Sequence, residues 1–143
     1  IYRALMEGIA FGKRMIIEQM ERAGVRCRLL YATGGVAKKN PLIMQIMADV
    51  LNREIMVPAI ANGSCMGSAM FGAVAAGRRG GGYDTIEEAV NAMGPPVGKT
   101  YIPSQSASVV YDALFEMYRE MYLYLGKDSS MLKRLAAMRG KEK

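Results

Sequence analysis

Two short apolar runs held apart by a helix-length segment constrain this chain more than any other feature. Residues 28–32 (Arg-Leu-Leu-Tyr-Ala) run into Thr33-Gly34-Gly35, and residues 54–57 (Glu-Ile-Met-Val) are closed by Pro58. Each has the length and the turn-forming border of a buried strand. Between them, Asn40 and Pro41 set a helix N-cap ahead of a proline at the first helical position, which predicts a helix to about residue 51. Asn52-Arg53 then reads as a turn into the second strand. Strand, helix and strand in this order pair in parallel through a crossover, the unit of an α/β fold.

The flanking segments extend that pattern. Over residues 1–23, Leu5, Ile9, Ile16, Met20 and Ala23 recur at helical spacing, with Gly24 placed to cap the helix. Asn62-Gly63-Ser64 opens a helix over 65–76 in which Gly67, Ser68, Gly72 and Ala76 are small enough for close packing on the sheet or for bordering a ligand cleft. Gly80-Gly81-Gly82 breaks the chain, and Asp84 or Thr85 caps a helix to Met93. Residues 94–103 read as a loop rich in proline and glycine, and Ser106 starts a helix to about residue 125. Its Leu114, Phe115, Tyr118, Tyr122 and Leu125 are expected in the core. Residues 129–139 make one more amphipathic helix or fray. Two strands are too few for a free-standing sheet, and Ile1 opens inside a helix, so the expectation is a piece completed by upstream sequence. The open sheet edge and apolar area of such a piece predict self-association, as a homodimer.

Composition removes several functions. Half of the 143 residues are apolar, enough to fill a core. The formal charge of +6 suggests nucleic acid until it is located: Lys127, Lys133, Arg134, Arg139, Lys141 and Lys143 oppose only Asp128 and Glu142, so residues 127–143 hold +4 of it. A basic tail without interleaved aromatics reads as a solvated terminus and not as a nucleic-acid site. There is no histidine, and Cys27 and Cys65 lack metal-ligand spacing, so no metal site built on Cys and His and no His-based triad is expected. No apolar run reaches membrane-spanning length, and no leader pattern opens the chain. The cytoplasm is the expected compartment.

Residues 30–41 carry the best candidate chemistry. Paired glycines after a strand let the backbone turn sharply and come close to a flat or charged ligand, while the helix beginning near Asn40 offers free amide donors at its positive end. The same residues would also make a plain strand-to-helix turn. The stretch Ala-Thr-Gly-Gly, then Lys-Asn-Pro-Leu and Met-Gln-Ile-Met-Ala-Asp-Val, resembles the adenosine-side motif of the FGGY carbohydrate kinases. Tyr2-Arg3-Ala4-Leu5-Met6-Glu7-Gly8 is similar to the helix before that motif, and Gly67-Ser68-Ala69-Met70-Phe71-Gly72-Ala73 to the family's Gly-Ala-Ala helix. Cys65-Met66 and Ser68 depart from the usual Ala-Leu and alanine. Tyr31-Ala32-Thr33-Gly34-Gly35 and Gly82-Tyr83-Asp84-Thr85-Ile86 resemble the ribulokinase branch more than xylulokinases or glycerol kinases.

The resemblance implies a C-terminal lobe of an actin-like, ribonuclease H-like ATPase domain over residues 1–125, followed by a basic tail over 126–143. It implies ATP with Mg2+ as cofactors and a ketopentose, ribulose, as substrate. Gly34 and Gly35 would face the adenosine or α-phosphate. Lys39 and Asn40 would lie at the adenine pocket, or Asn40 would only cap its helix. No catalytic residue is assigned: the family's proton-accepting aspartate and most sugar contacts lie upstream of the matched segments, and Asp49, Asp84 and Asp112 sit in helix or cap contexts. The isolated chain is therefore expected to be inactive on sugar. Two readings from other classes stay open, a nucleotide-binding regulatory module of the same superfamily and a basic interaction domain. Deleting residues 127–143 decides on the last: nucleotide binding by calorimetry should be unchanged, and its loss would restore the basic tail as a functional element.

Overall fold

The computed structural model describes residues 1–128 and 130–139. Helix α1 (Tyr2–Arg22) leads to strand β1 (Leu30–Tyr31), a short helix α2 (Gly35–Lys39) and helix α3 (Pro41–Leu51). Strand β2 (Ile55–Pro58), helix α4 (Gly63–Ala76), a 3-10 turn (Arg78–Gly80) and helix α5 (Ile86–Met93) follow. Strand β3 (Val97–Tyr101), helix α6 (Gln105–Leu123), a π-helical turn (Tyr124–Asp128) and helix α7 (Met131–Arg139) complete the described chain. The sheet order is β1-β2-β3, with β1 parallel and β3 antiparallel to β2.

Local signals explain most boundaries. Gly24 takes φ +89°, its N–H donates to the Glu21 carbonyl at 2.9 Å and that of Val25 to Met20 at 3.0 Å, which satisfies the last carbonyls of α1. The Asn40 side chain accepts from Ile43 N at 3.2 Å and Pro41 fills the first turn of α3. Asn52, in the left-handed region, closes that helix. Thr85 caps α5 by accepting from Glu88 N at 3.2 Å.

The core lies where α1, α3 and α6 meet the sheet. Met6, Ala10 and Phe11 of α1, Met44, Ile46 and Val50 of α3, Ile55 of β2, and Tyr111 and Phe115 of α6 are all buried. The Phe11 ring stands edge-on to Tyr111, with centroids 6.1 Å apart, and lies 6.0 Å from Phe115. Arg14 ties the three helices together. Its guanidinium donates to the Val50 carbonyl at 3.0 Å, pairs with Asp112 at 2.6 Å and Glu18 at 3.1 Å, and lies 4.2 Å from the Phe115 ring centre. Buried Asp49 anchors the start of α6: its carboxylate accepts from Ser104 N at 2.8 Å, and its carbonyl from the Ser108 hydroxyl at 2.8 Å. Leaving such a buried donor without its partner costs about 1–3 kcal/mol.

Several expectations are corrected. Residues 94–103 are not all loop, because 97–101 form β3 by pairing with β2, so the sheet is mixed. Residues 36–39, which read as a loop from sequence alone, lie in the helical turn Gly35–Lys39, and the strand expected over 28–32 is confined to Leu30–Tyr31. The apolar residues whose spacing marks α1 as a helix lie on its outer side: Leu5 and Ile16 are 62% exposed and Ile9 and Met20 are exposed too, while Met6, Ala10 and Phe11 are buried. On α6, Phe115 is buried and Tyr118 packs against the core, but Leu114 and Tyr122 are exposed. Of the two outcomes for 129–139, a helix forms over Met131–Arg139; residues 129 and 140–143 of the basic tail lie outside the described residues.

A second ion pair fixes the end of α1 to the turn before β2. The Arg53 guanidinium holds Glu21 by two contacts, at 2.7 and 3.0 Å, and donates to the Cys27 carbonyl at 2.7 Å. Hydrogen bonding from Arg53 lowers the Glu21 carboxyl below its ordinary 4.5. A carboxyl depressed in the folded state contributes stability above its unfolded pKa and loses it as pH falls through the folded value. Glu21→Gln should therefore be less stable than the parent at neutral pH, and the gap in denaturant midpoint should close as pH drops below 4.5. A gap unchanged from pH 7 to pH 3 would remove the pair from any stabilising role.

Candidate functional site

The carboxyl ends of β1 and β2 define the site. In a sheet of parallel strands this is the edge where loops open into helix N-termini and ligands bind. Leu30 pairs with Ile55 and Tyr31 with Met56, and the Ala32 N–H adds a bond to the Met56 carbonyl at 2.9 Å before the chain leaves the sheet. Gly34 then takes φ +97° and ψ 178°, a conformation essentially reserved for glycine. It turns the chain into α2, where the Lys38 N–H donates back to the Gly34 carbonyl at 3.3 Å. Gly35 is the first residue of α2, so the strained backbone belongs to Gly34 and not, as the sequence alone left open, to Gly35. A Cβ at either glycine would meet no atom within 4 Å, so both turn an unobstructed face outward.

The other anticipated residues follow within one helical turn. Lys38 and Lys39 are exposed at the end of α2. Asn40 is half-buried and both ends of its amide are engaged: Oδ1 caps α3 and Nδ2 donates to the Tyr2 hydroxyl at 3.4 Å. The structure thus brings Gly34, Gly35, Lys39 and Asn40 into one continuous turn, with Asn40 already serving as a cap.

Sequence reasoning missed the neighbour of that turn. The loop after β2 ends at Asn62, whose side chain accepts from Cys65 N at 3.2 Å to cap α4, and Gly63 at the start of α4 lies directly against Thr33. A Cβ on Gly63 would fall 2.7 Å from the Thr33 Cβ and 2.8 Å from its methyl. Asn-Gly-Ser after the second strand was the available signal, but only parallel pairing places it beside Thr33.

Other candidate groups are committed elsewhere. Asp84 accepts from Arg78 N at 3.2 Å and pairs with its Nε at 3.0 Å, and Asp112 pairs with Arg14. Glu7 accepts from Arg3 at 2.9 Å and from the Tyr111 hydroxyl at 3.0 Å; burial pushes the Tyr111 phenol up despite the Arg3 contact. Among the described residues no three His, Cys, Asp or Glu gather to hold a metal ion. A cavity of about 620 Å³ lies between α1 and the sheet edge, lined by Ile9, Lys13, Tyr31, Thr33, Val36 and Met47 among others. It borders the glycine turn through Thr33 and Val36, but none of Gly34, Gly35, Lys39 and Asn40 lines it. The small face of α4 is uncovered: a Cβ at Gly67 or Gly72 would meet nothing within 4 Å.

Residues 1–76 match the FGGY family of carbohydrate kinases, C-terminal domain. The ribulokinase of Bacillus licheniformis is 49% identical over 139 residues, which is 97% of this chain and 25% of that protein. The ribulokinase of Halalkalibacterium halodurans is 44% identical over 140 residues, again 97% of this chain and 25% of that protein. Among solved structures, a xylulose kinase from Rhodospirillum rubrum superposes with a TM-score of 0.70 at 28% identity, over 87% of this chain and 24% of that one. A ligand-bound xylulose kinase from Lactobacillus acidophilus gives 0.71 at 25% identity, with the same two coverages. The chain spans about a quarter of the length of the curated relatives it matches.

The two glycines of the turn differ in what a methyl group costs. Gly34→Ala forces a side chain into a region only glycine occupies and should destabilise by about 1–3 kcal/mol. Gly35→Ala places alanine in open space in a helical turn and should be near neutral. Urea midpoints measure both, and equal values for the two variants would contradict the φ of +97° at Gly34.

Proposed function

This chain belongs to the FGGY family of carbohydrate kinases, as its C-terminal domain, and we propose that it supplies the ATP-binding side of a kinase that phosphorylates ribulose. Its α/β fold is that of the C-terminal lobe of an actin-like, ribonuclease H-like ATPase. The observation that carries the function is the outward-facing turn at Gly34 and Gly35, at the carboxyl end of a parallel strand pair, with no atom near where either Cβ would stand. That is a surface a nucleotide can approach to backbone contact. The 49% identity to a ribulokinase, against 28% to a xylulose kinase, supports ribulose as the ketopentose.

In this assignment Gly34 and Gly35 lie against the adenosine or α-phosphate. Lys39 stands at the adenine side and Asn40 holds the start of α3 beneath it. ATP supplies the phosphoryl group, and Mg2+ neutralises charge on the phosphates during transfer. Phosphoryl transfer asks the protein for positioning more than for covalent chemistry, and positioning is what a fixed glycine turn provides. We place the carboxylate that takes the sugar proton, the metal ligands and the sugar pocket in the rest of the protein. We further assign residues 1–125 to the nucleotide-binding unit and 126–143 to a basic tail, within a cytoplasmic homodimer.

Replacing Gly35 by valine in the full-length protein tests the nucleotide assignment. Gly35 has no positive φ, so the variant should fold, and its effect comes from a branched side chain standing where the nucleotide lies. Loss of a few contacts at about 1 kcal/mol each corresponds to tens-fold weaker ATP binding. Ribulose affinity, read by calorimetry on the same sample, should stay within about twofold, because the sugar contacts lie elsewhere. Unchanged ATP affinity in a folded Gly35→Val protein would return the turn to an ordinary strand-to-helix connection.

A further inference from the structure

We propose that Gly63 is a positioning residue for the nucleotide turn: its missing side chain is the seat of Thr33, and that seat holds Gly34 and Gly35 in place from the neighbouring loop. This rests on the assignment of the turn to ATP. Gly63 has an unremarkable φ, so its backbone does not require glycine. What requires it is space. A Cβ there would lie 2.7 Å from the Thr33 Cβ, 2.8 Å from its methyl and 3.0 Å from its hydroxyl oxygen. The first of these atoms is bonded directly to the Thr33 Cα, so no rotamer change relieves the overlap and the backbone has to shift.

Thr33 is held on its other side as well. Ala32 just before it is bonded to the Met56 carbonyl at 2.9 Å, and Gly34 just after it sits in a conformation that fixes the turn. Displacement of Thr33 therefore passes into Gly34 and Gly35 and does not dissipate into the strand. On the partner loop, Gly63 is the first residue of α4, and Asn62 before it is locked by its cap to Cys65 N at 3.2 Å. Both sides of the contact are anchored, so the overlap cannot be absorbed by moving a free loop end. A misplacement of about 1 Å in a positioning element is enough to cost up to a hundredfold where geometry carries catalysis.

The test uses the full-length protein with Gly63→Ala, Thr33→Gly and the double variant, alongside Gly35→Val. Gly63→Ala should raise the ATP KM about tenfold, a fraction of that limit, with the ribulose KM unchanged. Thr33→Gly removes the seated side chain and should also raise the ATP KM. Adding Gly63→Ala to Thr33→Gly should cost nothing more, since the atoms it strikes are gone. Additive losses, equal losses for ATP and sugar, or unchanged ATP KM in folded Gly63→Ala would each overturn the proposal. If Gly63→Ala does not fold, Thr33→Gly decides alone, and an unchanged ATP KM there is equally fatal. The two assignments separate cleanly. If Gly35→Val also leaves ATP untouched, the nucleotide assignment itself is wrong. If Gly35→Val weakens ATP and Gly63→Ala does not, only the seat of Thr33 is.

Discussion

Parallel pairing of Leu30 and Tyr31 with Ile55 and Met56 sets where the chain leaves the sheet, and with it the geometry of the glycine turn. It is a short contact, two residues on each strand with one added bond from Ala32. Because the strands run the same way, both of their exits lie on one edge, and α3 lies in the crossover between them. An antiparallel arrangement would have put Thr33 and Gly63 at opposite ends of the sheet. Their contact, and the shared edge on which the glycine turn opens, follow from strand direction before any side chain is considered.

So short a pairing cannot hold its register alone, and the helices behind it supply what it lacks. Helix α3 is the common partner, packed against α1, α6, β2 and β3. Two polar side chains within the apolar layer fix the angles at which those helices meet. Arg14 reaches from α1 to the Val50 carbonyl of α3 and to Asp112 of α6, with its flat face on Phe115. Asp49 reaches from α3 to the amide of Ser104, the N-cap residue of α6. Apolar packing tolerates sliding between helices, whereas a guanidinium or carboxylate that must satisfy several directed bonds does not. The strand edge is thereby set by charged groups engaged in holding the helices together.

The strand and helix skeleton around the glycine turn was legible because it is written in local, short-range signals. Asn40-Pro41, Asn62 and Thr85 cap helices wherever such residues precede a helical run, and Gly24 closes α1 as C-cap spacing requires. What was not legible depends on partners distant in sequence. Strand β3 follows Pro95 and Pro96 and precedes Pro103, and only Tyr101 of its five residues is buried, so it carries neither alternation nor a continuous apolar run; it is a strand because β2 offers it an edge. Helix α1 is apolar on two faces, and spacing alone cannot say which turns inward. Phe11 and Arg14 decide, because their partners on α6 and α3 are more than 35 residues away. Which glycine carries the strain was not legible for a related reason: Gly34 and Gly35 are alike in sequence, and the backbone angles, with φ +97° at Gly34, show which one makes the turn.

The division between shape and charge at this edge bears on how such a turn recognises a nucleotide. Lys38 and Lys39 are exposed, and charges in that position contribute little that salt does not screen. The Asn40 amide caps α3 through Ile43 N and donates to Tyr2 of α1, so its orientation is fixed by the helices it joins. Backbone remains: the turn at Gly34 presents main chain with no side chain in front of it, and it does so at the strain of a conformation other residues avoid. Backbone that is already fixed loses little entropy when a ligand arrives, so contacts made by it are retained in full. On the proposed assignment, an edge built in this way would recognise its ligand through the closeness that the absence of side chains at Gly34 and Gly35 permits, with Gly63 seating Thr33 beside them and the neighbouring charges only tuning it.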